Sequence, residues 1–154
     1  MPRASRSSEG RLFTIGYEGK TMDEYLAQLR DAGVSLLCDV RYNAVSRKRG
    51  FSKRGLAEAC TAAGIRYEHL RTLGIPSEER RNLRRPEDRA ALFDRYARVT
   101  LAAEGEALAN IAAWIKVDCE SVALTCFERD PRECHRHCVA DALHWMGTVA
   151  AVHL

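Results

Sequence analysis

The sequence predicts a single α/β domain whose mostly parallel sheet is flanked by helices on both faces. Short, continuous apolar runs recur along the 154 residues, and amphipathic helical patterns separate them. Apolar runs without polar alternation are typical of parallel strands that are buried on both faces. The first strand, helix and strand span about thirty residues, the length of a βαβ unit. We therefore expect one domain at residues 11–154, after a disordered tail at residues 1–10.

The first half of the chain contains three predicted strands separated by two predicted helices. The strands are the apolar runs at residues 11–16, 34–40 and 65–70. Thr21 and Glu24 have the spacing of a capping box and begin the first helix. Ser52 is suited to cap the second helix, which ends at Gly64. The basic segment 41–54 is predicted to be a loop.

The second half of the chain is predicted to contain three helices and two strands. Pro86 suits the first position of a helix, and Gly105 separates that helix from the next one. The apolar run at residues 121–127 is the clearest late strand. The last helix is expected to begin near Glu133–Cys134, and an edge strand follows at residues 148–154.

Composition and charge narrow the class of protein. A hydrophobic fraction of 46% with a net charge of +3 is typical of globular domains and excludes fibrous and wholly disordered chains. No apolar run approaches the roughly 20 residues that a membrane-spanning helix needs. Residues 1–10 lack the apolar stretch of a secretory signal. We expect a cytoplasmic protein with no membrane partner, with its cysteines reduced and its oligomeric state left open by the sequence.

Polar and titratable residues follow several of the predicted strands. Tyr17 follows the first strand, and Asp39 and Arg41 lie at the end of the second. Cys126 and Glu128 lie at the end of the clearest late strand. Because ligands bind outside the carboxyl ends of parallel strands, we expect these side chains to line one functional edge of the sheet.

Three further candidates, Cys134, His135 and Arg136, stand where the last helix is expected to begin. Helix N-termini favour negative charge, so a thiol there ionises more easily. Arg136 is suited to hold an anion, His135 to move a proton, and Glu128 to act as a base. The sequence predicts catalytic residues Cys126, Glu128, Cys134 and His135, and substrate-binding residues Tyr17, Asp39, Arg41 and Arg136.

Structural interpretations of the same residues remain open. Asp39 and Arg41 can pair with each other at the strand end, and Cys126 can be an apolar core residue. A buried Arg136 needs an anionic partner, which in this interpretation is Glu128 or Asp39 rather than a substrate.

A structural zinc site is a further alternative. Cys134 and Cys138 lie one helical turn apart, and Cys126 with His135 or His137 would complete a tetrahedral set. However, the chain has no paired C-x-x-C knuckles, and Cys138 lies beside the predicted apolar stripe of its helix. We assign no metal, and the cofactor is unknown from the sequence.

Two groups of basic residues, within segments 41–54 and 80–89, favour an anionic small molecule or a nucleic acid as the partner. No recognised nucleic-acid-binding fold accompanies them, so they are slight evidence for a nucleic acid. We expect an enzyme that acts on an anionic, phosphate-bearing substrate such as a nucleotide or nucleic acid. The alternative is a non-catalytic module that binds a polyanion, in which the cysteine, glutamate, histidine and arginine cluster is a structural network or a metal site.

A set of short motifs extends over most of the chain, from Leu12 to Met146. The motifs are Thr14–Tyr17, Asp39–Arg41, Ser46–Arg47, Phe51–Lys53, Leu73–Gly74 and Cys126–Arg136. Together they resemble the family called domain of unknown function 488. This resemblance implies a compact α/β domain found in bacteria and archaea, without an established reaction. It implies characteristic positions at Gly16, Tyr17, Asp39, Arg41, Cys126, Glu128, Cys134, His135 and Arg136. The chain departs from the family at Ala44, where a proline is frequent.

Overall fold

The computed structural model describes residues 10–154, so residues 1–9 of the tail predicted for residues 1–10 lie outside the described residues. Gly10 is already part of the domain. It is buried, and its amide donates a hydrogen bond of 3.1 Å to the carbonyl oxygen of Ile115.

The centre of the domain is a sheet of five parallel strands in the order β3-β2-β4-β1-β5. The strands are β1 (Leu12–Gly16), β2 (Leu36–Asp39), β3 (Arg66–His69), β4 (Val122–Cys126) and β5 (Val152–His153). Because β4 lies between β1 and β2, Cys126 pairs with Gly16 and Thr125 pairs with Asp39. The register therefore places the ends of all three strands at one edge.

Helices cover both faces of this sheet. They are α1 (Met22–Asp31), α2 (Lys53–Ala62), α3 (Pro86–Arg95), α4 (Leu101–Ala103), α5 (Gly105–Lys116) and α6 (Arg136–Trp145). A π-helical turn, Tyr96–Thr100, joins α3 to α4. None of the helices among residues 10–154 is long and apolar enough to cross a membrane. The fold is the single α/β domain with a parallel sheet that the sequence predicts.

The core has one apolar layer on each side of the sheet because successive strand side chains point to opposite faces. Leu37 of β2 packs with Tyr25 of α1 and Leu56 of α2. Leu36, its neighbour in the strand, packs on the other face with Ile111 of α5 and other residues of the second layer. Both apolar layers end at the carboxyl edge of the sheet, where many of the buried side chains are polar instead of apolar.

Two helix starts differ from their sequence expectations. Thr21 caps α1 by accepting from the amide of Glu24 at 3.1 Å, but the hydroxyl of Ser52 bonds to the backbone of Ser46 instead of capping α2. The last helix was expected to begin near Glu133–Cys134, yet α6 begins at Arg136. A 3₁₀ turn, Pro131–Glu133, precedes it and leaves Cys134 extended.

Candidate functional site

The carboxyl edge of the sheet brings together the eight residues that the sequence singles out. Tyr17 follows β1, Asp39 ends β2 and Cys126 ends β4, while the other five stand in the segments that follow β2 and β4. Gly16 permits this closeness, because a Cβ there would overlap the carbonyl oxygen of Glu128. The residues nevertheless form two networks that differ in how their charges are compensated.

The first network is a closed ion pair between Asp39 and Arg41. Asp39 is fully buried, and Arg41 is 5% exposed. One carboxylate oxygen accepts from the Arg41 Nε at 2.8 Å, and the other accepts from Nη2 at 2.6 Å. This is the structural pairing that the sequence left open, and it occupies the carboxylate that was expected to bind substrate.

Aromatic residues complete this first network. The Tyr67 hydroxyl donates to Asp39 at 2.5 Å, and Arg41 Nη1 donates to the carbonyl of Phe51 at 2.7 Å and to the Tyr17 hydroxyl at 3.2 Å. The rings of Tyr17 and Phe51 stack with centroids 4.7 Å apart. Burial, together with the adjacent Asp39 carboxylate, raises the pKa of Tyr67 well above its usual value. The network thus anchors the basic loop to the end of β2, and the Tyr67 hydroxyl remains a protonated donor.

The second network contains a disulfide between Cys126 and Cys134, both 1% exposed. Sequence analysis expected reduced cysteines, and for this pair that expectation is wrong. The two residues are eight positions apart, but the turn after β4 carries the chain back so that the sulfurs meet. Cys60 and Cys138 are buried thiols, and burial raises the pKa of each to about 12.

The Arg136 side chain is fully buried beside this disulfide. Its Nη1 donates to the carbonyl of Glu128 at 2.6 Å, and its Nη2 donates to the carbonyl of Arg129 at 3.1 Å. Nη1 also lies 3.3 Å from the Cys126 sulfur, while Nε has no hydrogen-bond partner. None of the ion pairs among the described residues includes Arg136. The expectation that a carboxylate of Glu128 or Asp39 pairs with Arg136 is therefore wrong, and burial lowers the pKa of this guanidinium.

Glu128 lies between the disulfide and a distant basic residue. Its Oε2 is 3.6 Å from the Cys126 sulfur, and its Oε1 is 3.7 Å from Nη1 of Arg80. Sequence analysis placed Arg80 in a basic cluster but did not assign it to the site. The basic cluster was the available sequence signal for Arg80, because no local sequence pattern relates residue 80 to residue 128.

His135 is 2% exposed, and its Nε2 contacts the carbonyl oxygen of Val40 at 2.7 Å. Since a carbonyl can only accept, Nε2 carries the proton and Nδ1 presents a lone pair, 3.8 Å from the Cys134 sulfur. Burial lowers the pKa of His135 to about 4, so the ring is neutral near pH 7. This geometry makes His135 a fixed link between β2 and α6, and Tyr96 packs edge-on against its ring at 5.4 Å.

The ligand atoms of Cys126, Cys134 and His135 all lie within 4.8 Å of one another, as in a metal site. Cysteine binds metals as the thiolate, however, and here the two sulfurs are bonded to each other. The cluster in this oxidised form is therefore not suited to hold a metal ion. Cys138, which the zinc alternative also used, has its sulfur 3.4 Å from Nε2 of His137.

Two cavities, each of about 340 Å³, lie on either side of the Arg80–Glu128 ion pair, and both residues line both cavities. The first, which we call the basic cavity, is also lined by Tyr17, Arg41, Ser46, Arg47, Lys48 and Cys126. The second, which we call the α3 cavity, is also lined by Arg89, Phe93, Glu133, Cys134 and His135. The two cysteines of the disulfide therefore line different cavities.

The five-stranded parallel sheet, with its polar cluster at the carboxyl edge, defines a single α/β domain. The chain belongs to the family described as Domain of unknown function DUF488, whose model matches residues 21–143. This match confirms the resemblance carried by the sequence motifs. No curated protein and no solved structure matches the chain.

Proposed function

We propose that the chain is an enzyme that acts on an anionic, phosphate-bearing substrate bound in the basic cavity. One observation carries this proposal: the cationic side chains of Arg47, Lys48 and Arg80 surround a cavity that Cys126 also lines. Arg41 also lines it, but its charge is already neutralised by Asp39.

The charge balance of the cavity favours an anion. Arg47, Lys48 and Arg80 contribute positive charge, whereas Glu128 is the carboxylate on the wall. Arginine binds phosphate oxygens through paired N–H donors, and lysine adds a mobile point charge. A phosphate group in this cavity would therefore be held against cations while the rest of the substrate extends toward solvent.

The reacting group of this proposal is Cys126 in its reduced form. As a thiolate it would attack the substrate, and the leaving group would depart with the electron pair of the broken bond. Glu128, whose Oε2 is 3.6 Å from the sulfur, is placed to take the proton from the water that later releases the product. Arg136 supports the thiolate from the protein side at 3.3 Å.

Calorimetric titration of the reduced full-length chain tests the binding step, with inorganic phosphate and nucleoside monophosphates as probes. Arg80→Gln should weaken binding about tenfold, because it removes one charge-assisted contact. Arg66→Gln is the matched control, since Arg66 is half exposed and lies at the opposite end of the sheet. Equal effects of the two variants, or none, would contradict the proposal.

Phosphorus NMR of the same mixtures tests the chemical step. We expect product with the reduced wild type and none with Cys126→Ser, which should still bind the probe. Binding of a single-stranded oligonucleotide that weakens steeply with salt, without any product from nucleoside phosphates, would instead support the non-catalytic polyanion module.

A further inference from the structure

The buried guanidinium of Arg136 lacks a negatively charged partner in the oxidised protein. Its contacts are two backbone carbonyls and the sulfur of Cys126. An uncompensated buried charge is costly, so the arrangement indicates that a negative charge belongs there in another state of the protein.

The neighbouring carboxylates act on this charge only from a distance: Glu128 and Asp130 raise the pKa of the guanidinium, but burial outweighs them and neither forms an ion pair with it. Asp39 is held by Arg41, the Glu128 carboxylate faces Arg80, and Asp130 pairs with Arg132 at 3.2 Å. The remaining group in contact is the Cys126 sulfur, which is neutral in a disulfide and anionic in a thiolate. Reduction of the disulfide would therefore create the missing counter-charge 3.3 Å from the guanidinium.

We propose that Cys126 and Cys134 form a redox-active pair that exchanges two electrons with a dithiol, and that the reduced pair keeps Cys126 as a thiolate against Arg136. This chemistry requires no bound substrate, so it is separate from the proposed function.

The two sulfurs have unequal electrostatic support. The Cys126 sulfur contacts the positively charged guanidinium of Arg136. The Cys134 sulfur accepts a hydrogen bond only from the backbone amide of Arg136, at 3.5 Å, near the start of α6. Since a full charge stabilises a thiolate more than a backbone dipole does, Cys126 is the better leaving group. The thiolate of an incoming dithiol should therefore attack Cys134, which lines the α3 cavity.

The exchange balances in two steps. Attack on Cys134 forms a mixed disulfide and releases the Cys126 thiolate with the electron pair of the broken S–S bond. The second thiol of the dithiol loses its proton and attacks its partner sulfur, which forms the dithiol's own disulfide and releases Cys134. Cys134 then takes a proton, and the Cys126 thiolate remains paired with Arg136. Because this reduced form is stabilised, the protein disulfide should be easily reduced.

The ultraviolet thiolate absorbance of the reduced full-length protein, taken as the difference from the double variant Cys126→Ser, Cys134→Ser, identifies the ionised cysteine. The other thiols cancel in this difference. We expect a thiolate that persists below pH about 7 in the wild type and in Cys134→Ser, and that is lost in Cys126→Ser. A thiolate that forms only above pH about 8.5, or one that depends on Cys134 instead, would overturn the proposal.

Equilibration with glutathione buffers tests the role of Arg136. Arg136→Gln removes the counter-charge and should raise the equilibrium constant for disulfide formation at least about tenfold, which equals about 30 mV for two electrons. Arg136→Lys keeps the charge and should restore most of the wild-type value. Glu128→Gln removes a negative charge 3.6 Å from Cys126 and should shift the constant the opposite way.

Circular dichroism shows which variants fold. If Arg136→Gln does not fold, Glu128→Gln and the paired cysteine variants decide the question, since Glu128 is partly exposed. Folded variants of Arg136 and Glu128 whose equilibrium constants stay within about twofold of the wild type would refute the proposal, as would a disulfide that a dithiol reduces only after unfolding.

Discussion

Asp39→Asn should be among the most destabilising polar substitutions in this chain. The carboxylate is fully buried and accepts from the Arg41 side chain at 2.8 and 2.6 Å. Asparagine loses the charge and turns an N–H₂ group toward one of these donors. Two charge-assisted bonds at about 2 kcal/mol each give a loss of about 4 kcal/mol, which matches the roughly 3–5 kcal/mol that breaking a buried ion pair costs.

Urea unfolding, followed by circular dichroism, measures this loss. With a slope of about 2 kcal/mol/M, a loss of about 4 kcal/mol lowers the midpoint by about 2 M. Glu58→Gln is the matched control, because it breaks the exposed pair of Arg54 and Glu58 and should cost less than about 0.5 kcal/mol. A loss below about 1 kcal/mol for Asp39→Asn, or one no larger than the control's, would refute the view that this ion pair anchors the loop.

Three further predictions concern single buried positions. Folded His135 has a pKa of about 4 against about 6.5 unfolded, so the unfolded chain binds the extra proton between these values. The free energy of unfolding should therefore fall by up to about 3 kcal/mol as the pH drops from about 6.5 to about 4, and His135→Gln should flatten this dependence in urea midpoints. Tyr96→Phe removes a buried hydroxyl bond of 2.5 Å to a backbone carbonyl and should cost about 1 kcal/mol by the same assay. Gly16→Ala forces a Cβ against a backbone carbonyl after β4 and should cost at least about 2 kcal/mol, whereas Gly105→Ala meets open space and should leave stability unchanged or slightly higher.

Each of these predictions has a contradicting outcome. An unchanged pH dependence in His135→Gln would show that another group titrates in that window. A Tyr96→Phe variant as stable as the wild type would mean that its hydroxyl contributes nothing net. Equal stabilities of Gly16→Ala and Gly105→Ala would contradict the close approach of the loop after β4 to the end of β1.

The two networks at the sheet edge differ in whether a carboxylate contacts and neutralises the arginine. We use this difference to distinguish the network that anchors a loop from the one that we propose to be reactive. Asp39 and Arg41 neutralise each other and leave no free charge for a ligand. Arg136 contacts no carboxylate, and its Nη1 lies 3.3 Å from the Cys126 sulfur. Reactivity should therefore be concentrated around Cys126 and Cys134, with the Asp39 pair holding the loop that lines the basic cavity.

Much of the fold could be predicted because local patterns carry it. The apolar runs at β1 and β4 and the capping residue Thr21 identified their elements within a residue or two. The start of α6 was misplaced because the Asp130 side chain accepts from the amide of Arg132 and caps a 3₁₀ turn first. The 3₁₀ turn replaces the first turn of the predicted helix because of one side-chain hydrogen bond. Hydrophobic periodicity in the sequence does not reveal such a bond.

The partners within the site could not be predicted in the same way. The sequence left the partner of Arg136 open between substrate, Glu128 and Asp39, and the structure shows backbone carbonyls and a sulfur instead. Arg80 reaches Glu128 across a separation of 48 positions, and the disulfide depends on the path of the turn after β4. These pairings depend on loop conformation, for which no local periodicity exists.

By itself, the amino-acid sequence determined which residues stand at the carboxyl edge of the sheet, because strand direction places every residue that follows a parallel strand at the same end of the sheet. Only the tertiary structure decided which of those charges are neutralised. Compensation and burial depend on atoms from distant segments, such as the Tyr67 hydroxyl that reaches Asp39 and the Val40 carbonyl that holds His135. Electrostatic energy varies steeply with distance in a buried environment, so ångström-scale placement, rather than residue type, distinguishes the Asp39–Arg41 ion pair from Arg136 and the disulfide beside it.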